Sequence, residues 1–265
     1  MAFRMKQLAQ NTALGSGLFV ARTVSVDSVT ESLTPLRVTP CETPLIRLGP
    51  DADGGYLVPD DLDGIAAAIS PGVSTESRFD LAIAERGIPV TLVDASVEGP
   101  SVSHEAFTFV PKFVDTFESE QTVTLSQLVA DQPDGDLLLQ MDIEGAEYRT
   151  LGSTPYDVLE RFRIILLEIH DLNHIVLPTR DREIPSFVTR LLHTHAIVHS
   201  HPNNYAPVAK IGGTAVPHTL ELTLLRRDRF VPATRIPTYP HPLDRDCDPV
   251  GPHVVLQAPF LPQPV

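Results

Sequence analysis

The stretch Leu137-Leu-Leu-Gln-Met-Asp-Ile-Glu-Gly-Ala-Glu147 joins a short apolar run to a group of carboxylates. The run over residues 136–143 is strongly apolar, which predicts a buried strand. Asp142, Glu144 and Glu147 follow where that strand ends. These side chains are therefore candidates for the chemistry of the protein.

Short β-rich apolar runs alternate with helical patterns on both sides of this strand. The alternation is typical of a parallel sheet with crossover helices. The predicted strands cover residues 65–70, 89–95, 107–114, 136–143 and 163–170, and the predicted helices cover residues 75–86, 124–130 and 184–195. Two last strands, over residues 196–200 and 219–226, are joined by a long loop, which implies an antiparallel pair.

These elements predict an α/β fold with a Rossmann-like, seven-stranded, mostly parallel sheet and a C-terminal antiparallel hairpin. The arrangement is typical of class I methyltransferases. We expect this domain over residues 45–231. Residues 1–44 have weak periodicity and several prolines, which indicates an irregular or partly helical lead-in. Residues 232–265 are rich in proline, which indicates a tail that is draped on the surface or partly disordered.

The chain is acidic and has the composition of a globular protein. It has 265 residues, a formal net charge of -14 and a hydrophobic share of 42%. The acidity argues against nucleic acid or an anionic membrane as a partner, because both are bound by clustered cations.

No apolar run reaches the roughly 18 to 20 residues that span a bilayer. The longest, at residues 14–21, lacks a convincing cleavage site, so we expect a cytoplasmic protein. Cys41 and Cys247 have no metal-binding spacing and are expected to be reduced thiols.

The turn after the first predicted strand is the candidate cofactor site, because ligands of doubly wound sheets bind beside it. Gly72 lets the backbone pass close to a ligand, and Ser74 is a candidate helix cap. Asp94 ends the second predicted strand, where an acid accepts hydrogen bonds from the ribose of an adenosine cofactor. Glu76 adds a carboxylate that repels a pyrophosphate but suits an ammonium or a sulfonium. The glycine turn before Tyr56 either brings that side chain near the cofactor or is a plain hairpin turn. An ordinary tight turn with a helix cap remains an alternative.

The sequence around Asp142 resembles the FkbM-type S-adenosylmethionine-dependent methyltransferases, whose members have a hydrophobic run followed by (K/M)-D-(I/V)-E-G-A-E. Further segments look like that family in the same order: Asp53-Gly-Gly-Tyr-Leu-Val-Pro59, Leu166-Leu-Glu-Ile-His170, His199-Ser-His-Pro-Asn-Asn-Tyr205 and Leu220-Glu-Leu-Thr223. The resemblance covers about residues 47–228. It implies S-adenosylmethionine as methyl donor and, usually, an oxygen of a sugar or another small natural-product-like molecule as acceptor.

The resemblance also implies roles for individual residues. Gly72 and Asp94 match the family's cofactor turn and ribose acid, and Asp142 and Glu144 match its strand-end carboxylates. The chain has Ser74 where a second glycine is common in the family.

Methyl transfer to a hydroxyl requires the donor and the acceptor in line and a group that weakens the acceptor's proton. His170 or His201 is a candidate general base, and Asp142 is a further candidate catalytic residue. Alternatively, a divalent metal lowers the pKa of the acceptor hydroxyl, and Mg, Mn or Fe would suit the mixed donors. The candidate ligands of this metal are Asp142, Glu168, His170 and His201. Histidines held by ordinary hydrogen bonds and acids that complement a helix dipole remain alternatives.

The predicted loop over residues 201–217 is long for a hairpin connection and is a candidate lid or acceptor site. Together these observations predict an S-adenosylmethionine-dependent O-methyltransferase that acts on a small molecule or a saccharide. Two alternatives remain open: a non-catalytic or degenerate domain that binds an adenosyl ligand, and a nicotinamide-dependent oxidoreductase. The sequence also leaves open whether the chain forms a homo-oligomer.

Overall fold

The computed structural model describes residues 22–262. The apolar stretch at residues 14–21 and the first half of the predicted lead-in therefore lie outside the described residues. Within residues 22–262, no helix has the length and apolar character needed to cross a bilayer.

A seven-stranded sheet with helices on both faces forms the body of the domain. The strands are β1 (Leu45–Leu48), β2 (Tyr56–Pro59), β3 (Ile65–Pro71), β4 (Val90–Val93), β5 (Phe107–Val110), β6 (Phe113–Val114), β7 (Thr122–Val123), β8 (Asp136–Met141), β9 (Phe162–Ile169), β10 (His195–Ile211) and β11 (Thr214–Arg226). The helices are α1 (Val26–Leu33), α2 (Arg78–Ala84), α3 (Leu125–Ala130), α4 (Glu147–Ser153), α5 (Tyr156–Leu159) and α6 (Arg180–Thr194).

The strand order in the large sheet is β10-β11-β9-β8-β3-β4-β5. Strands β9, β8, β3, β4 and β5 run parallel to one another. Strand β11 is antiparallel to both of its neighbours, β9 and β10. The predicted seven-stranded, mostly parallel sheet is therefore confirmed. Strand order reverses at β3, which has β8 on one side and β4 on the other. The carboxyl ends of these three strands meet there, at the place where doubly wound sheets bind ligands.

The central strands are buried on both faces, which explains their nearly continuous apolar sequence. Leu137 and Leu139 pack into one hydrophobic core, and Leu138 packs into the other, because side chains alternate along a strand. Helices α1, α4 and α6 cover the first core, and α2 covers the second with Phe79 and Ile83. This double cover fixes the positions of the strand ends.

The third predicted strand is interrupted. It divides into β5 and β6 at Pro111, which has no N–H to donate to a neighbouring strand. Strand β6 leaves the large sheet and pairs with β7 instead. The interruption turns Phe113 away from the sheet, and half of this side chain is exposed.

The prediction of a long loop over residues 201–217 is wrong. Strands β10 and β11 continue as a two-stranded ribbon up to a tight turn at Gly212 and Gly213, both of which have positive φ. The pairing has a register shift between Asn203 and Val208, and β10 pairs with β11 on both sides of it. The shift accommodates residues that are poor strand formers. The side chains of Asn203 and Asn204 donate hydrogen bonds to Glu168 and to the carbonyl oxygen of Asp248, and no local sequence pattern predicts these contacts.

The lead-in and the proline-rich segment both pack into the domain. Leu33 and Leu36 are fully buried, and so is Phe260. The backbone N–H of Val38 donates to the carbonyl of Phe260, which joins the two segments directly. The expectation of a segment that only lies on the surface therefore does not hold for Phe260. Single apolar residues between prolines have no periodicity, so the sequence gives no sign of their burial.

Replacing Phe260 tests this packing. We expect Phe260→Ala to lower the free energy of unfolding by about 3 to 5 kcal/mol, because the truncation leaves a cavity in the main core. The matched control is Val250→Ala in the same segment, where the side chain is 94% exposed and little should change. Urea denaturation measures both variants, and equal stabilities would show that the segment contributes nothing to the core.

Candidate active site

The turn after β3 is held tightly against β8. Gly72 has a φ of +89°, and a Cβ atom at this position would lie 1.5 Å from the carbonyl oxygen of Asp142. Its N–H donates to Val93 at 3.0 Å, and the N–H of Asp142 donates to Pro71 at 3.1 Å. Only glycine fits this approach, because any side chain would collide with backbone.

Asp94, directly after β4, fixes the other side of the same turn. Its carboxylate accepts the N–H of Ser74 at 2.9 Å and both the N–H and the hydroxyl of Ser96 at 2.7 Å. Burial raises the pKa of Asp94, but these hydrogen bonds outweigh burial and hold it below its ordinary value. Ser74 has a φ of +46°, the left-handed conformation that glycine adopts most easily. Asp94 is therefore an ionised acceptor beside the turn.

One cavity of about 380 Å³ brings four of the nine predicted site residues together. It is lined by Gly72, Ser74, Asp94, Asp142 and Glu144, with further walls from the β6–β7 ribbon and from α4. The two groups expected to bind the ends of one cofactor thus share a single cavity.

The cavity also contains residues that sequence reasoning missed. Phe113 presents an apolar surface to it, and Arg149 lines it from α4. Arg149 is paired with Asp115 at 2.9 Å, so its charge is already balanced. Phe113 lies two residues after Pro111, and no motif in the sequence marks it as a site residue.

Two predicted cofactor residues do not line this cavity. Tyr56 is buried against Phe79 with ring centroids 5.3 Å apart, and its hydroxyl accepts a hydrogen bond from Gln140 at 3.3 Å. Glu76 instead pairs with Arg78 on the surface. Tyr56 therefore belongs to the core and contacts β8 through Gln140.

Glu147 organises the turn that follows β8. The side chain is fully buried, and one oxygen accepts the N–H groups of Ile143 at 3.0 Å and Gly145 at 3.1 Å. The same oxygen lies 3.1 Å from Nδ1 of His170. Glu144, between them, has a φ of +55° and an exposed side chain. Glu147 thus does more than complement a helix dipole, because it sets both the turn and the orientation of His170.

His170 stands among four carboxylates at the end of β9. Its Nε2 atom lies 3.4 Å from Glu144, 3.6 Å from Asp142 and 3.7 Å from Glu168. Burial lowers the pKa of His170, but the hydrogen bond to Glu147 and the nearby acids outweigh burial and raise it overall. At neutral pH this imidazole therefore carries more positive charge than an ordinary histidine.

The acids beside His170 hold protons more tightly than usual. Burial, with Glu144 and Glu147 nearby, raises the pKa of Asp142 to about 7 despite the opposing effect of His170. Burial and the charge of Asp142 also raise the pKa of Glu168 well above its ordinary value. Ligand atoms of Asp142, Glu168 and His170 lie within 4.8 Å of one another, so this group could hold a cation or share a proton.

His201 does not join that group. It lies with Glu221 and Cys247, and burial lowers its pKa to about 4. His199 pairs with Asp244 at 2.9 Å. Of the predicted metal ligands, the structure brings together Asp142, Glu168 and His170 and places His201 in a second group.

A larger cavity of about 590 Å³ opens between residues 60–65 and residues 86–88. These residues precede or begin β3 and β4, so the cavity lies at the amino ends of the strands. Ligands of doubly wound sheets bind at the carboxyl ends. The smaller cavity is therefore the candidate active site.

Residues 67–192 match the family model of the methyltransferase FkbM domain. This segment, 126 of the 265 residues, is similar to the methyltransferase FkbM domain. The match extends from β3 into α6 and includes Gly72, Asp94, Asp142, Glu147 and His170. It confirms the resemblance to the FkbM-type methyltransferases that was noted from the sequence.

Several solved structures resemble this chain at low identity. WbdD, solved with the kinase inhibitor LY294002, is 13% identical with a TM-score of 0.34, over 66% of this chain and 40% of that one. A SAM-dependent methyltransferase from Anabaena variabilis is 10% identical with a TM-score of 0.34, over 78% and 98% of the two chains. A 16S rRNA (adenine(1408)-N(1))-methyltransferase from Catenulisporales acidiphilia is 14% identical with a TM-score of 0.30, over 71% and 100%. The chain thus spans 40% of the length of WbdD. No curated protein matches it.

The role of Glu147 can be tested by titrating His170. We expect Glu147→Gln to lower the pKa of His170, because the variant removes the negative charge on the hydrogen-bond acceptor while burial still opposes protonation. Imidazole NMR signals followed against pH give this pKa, and a His170→Asn variant assigns the signal.

The control for this titration is Glu144→Gln. Glu144 lies 3.4 Å from the same ring, but its side chain is 87% exposed and solvent screens its charge. A shift in Glu144→Gln as large as that in Glu147→Gln would contradict the positioning role.

Proposed function

We propose that the FkbM domain transfers a methyl group from S-adenosylmethionine to a hydroxyl oxygen of a small-molecule or saccharide acceptor. The observation that carries this proposal is the shared cavity, with Asp94 on one side of the Gly72 turn and Asp142 on the other. Asp94 would accept hydrogen bonds from the ribose hydroxyls, and Asp142 would face the transferred methyl group and the acceptor.

The charges in the cavity favour a sulfonium cofactor over a dinucleotide. Asp94, Asp142 and Glu144 contribute carboxylates, and the cation that lines the cavity, Arg149, is balanced by Asp115. Carboxylates attract a sulfonium and an ammonium but repel a pyrophosphate. This argument, together with the family match, disfavours the nicotinamide-dependent alternative.

Asp142 is the proposed general base. A base works best when its pKa is close to the working pH, and the pKa of Asp142 is raised to about 7. Its carboxylate would take the hydroxyl proton as the acceptor oxygen attacks the methyl carbon. The carbon–sulfur bond breaks, and its electron pair stays on sulfur to give S-adenosylhomocysteine. His170, held by Glu147, would balance the charge of the carboxylates during this step.

A divalent cation held by Asp142, Glu168 and His170 is the second arrangement that the geometry supports, because their ligand atoms lie within 4.8 Å of one another. Such a cation would lower the pKa of the acceptor hydroxyl directly. Chelation separates the two arrangements. Activity that survives exhaustive chelation favours the base, and activity that is lost and then restored by Mg, Mn or Fe favours the metal.

Cofactor binding can be measured without knowing the acceptor. We expect Asp94→Asn to weaken the binding of S-adenosylhomocysteine by about 10- to 100-fold, the value of a charged hydrogen-bond acceptor. Isothermal titration calorimetry measures the affinity, and Asp131→Asn, on an exposed residue that follows α3, is the control. Unchanged affinity in Asp94→Asn would remove the assigned ribose contact.

Turnover tests the role of Asp142. Methyl-labelled S-adenosylmethionine offered with a panel of saccharides and polar alcohols should give a product labelled on oxygen. We expect Asp142→Asn to lower kcat at least about 100-fold while cofactor affinity is kept. In the native protein kcat should rise with pH through about 7, because the base acts only after it loses its proton. Label on nitrogen, or tight cofactor binding without turnover on any acceptor, would contradict the proposal.

A further inference from the structure

A second cluster of ligating side chains lies beside the active site, where the C-terminal segment meets the last two strands. His201 of β10 pairs in register with Glu221 of β11. Cys247, from the proline-rich segment, donates its thiol hydrogen to Glu221 at 3.1 Å. All three side chains are buried, with 5%, 7% and 2% exposure, respectively. One ligand atom from each lies within 4.8 Å of the other two.

His201 has a ring nitrogen that nothing in residues 22–262 satisfies. Its Nε2 atom is buried and has no hydrogen-bond partner there. The other nitrogen, Nδ1, lies 3.8 Å from a carboxylate oxygen of Asp244. Asp244 is itself fixed by His199 at 2.9 Å and by the N–H of His241 at 2.7 Å. Metal-binding histidines commonly have this arrangement, with one nitrogen toward a carboxylate and the other free for the metal.

The positive charge near Glu221 does not balance the negative charge of the buried carboxylates around it. It pairs in register with Glu168 of β9, and an oxygen of Asp53 lies within 4.8 Å of both. Within the described range, Glu221 forms no salt bridge with a lysine or an arginine. The guanidinium of Arg47 favours the charged form of Glu221, but it donates its hydrogen bonds to carbonyl oxygens of Pro50 and Ala52. Buried carboxylates that lack a cation are costly, and a bound cation removes that cost.

We propose that His201, Glu221 and Cys247 bind a zinc ion. One nitrogen, one oxygen and one sulfur donor form a set that suits zinc, whereas magnesium and calcium prefer oxygen ligands alone. On binding, the S–H bond of Cys247 breaks, a zinc–sulfur bond forms and the proton leaves to solvent. A fourth position remains for water or a nearby carboxylate.

The proposed zinc site does not rest on the proposed function. It lies outside residues 67–192, so the match to the FkbM domain does not include its ligands. It also differs in donor type from Asp142, Glu168 and His170, which include no sulfur. Its effect would be to tie the proline-rich segment to the β10–β11 ribbon, next to the carboxylates of the active site.

Cobalt replacing zinc gives a direct test, because a thiolate ligand produces a charge-transfer absorption in the near ultraviolet. When metal-free protein is titrated with Co²⁺, this band should grow until one Co²⁺ is bound per chain. Added Zn²⁺ should then displace the cobalt and remove the band. The chain supplies a matched control in its other cysteine, Cys41, which is also a free thiol. Cys41→Ser should keep the band, and Cys247→Ser should lose it and bind zinc at least about 100-fold more weakly.

A second measurement covers the case in which Cys247→Ser fails to fold. In the native protein, zinc should slow alkylation of Cys247 and leave Cys41 unaffected, as read by peptide mass spectrometry. The proposal is overturned if cobalt binds without the thiolate band, which would place the metal on other ligands such as Asp142, Glu168 and His170. It is also overturned if neither metal binds, or if the band follows Cys41.

Discussion

The contact between the Gly72 turn and the carbonyl oxygen of Asp142 is the constraint on which the candidate site depends. It holds the carboxyl ends of β3 and β8 so close that a Cβ atom has no room. Asp94 fixes the far side of the turn through the N–H of Ser74. Since both strands are buried on two faces, this junction cannot shift without disturbing the core. The cavity therefore exists in a preformed shape, with its acidic groups at fixed positions.

The second organising feature is the concentration of buried carboxylates along the ends of neighbouring strands. Asp142 follows β8, Glu168 is the second-last residue of β9, and Glu221 lies opposite Glu168 on β11. Burial raises the pKa of all three carboxyls, and the charges of Asp142 and Glu221 raise the pKa of Glu168 further. Such a row is stable only with shared protons or bound cations. The cost of burying uncompensated carboxylates thus underlies both the proton-accepting role proposed for Asp142 and the zinc site proposed at Glu221.

The residues whose positions agree with the expectation from sequence belong to local patterns. The apolar run before Asp142, the glycine at position 72 and the acid at position 94 each have a position fixed by strand and turn geometry, and all three meet as expected. The predictions that failed involve contacts between distant segments. The polar stretch after His201 looks like a loop, yet it pairs with β11. Tyr56 was expected beside the cofactor because of its glycine turn, but its ring packs into the core against Phe79.

By itself, the sequence determined the strands of the central sheet, the Gly72 turn and the group of acids after β8, because hydrophobic periodicity and turn chemistry act over a few residues. The tertiary structure alone decided which acids and histidines meet. Glu147 reaches His170 across 23 positions, and Cys247 reaches Glu221 across 26. Such pairings arise from strand order and from the packing of an aperiodic segment. No spacing along the chain encodes them, because the burial that brings them together involves the whole domain.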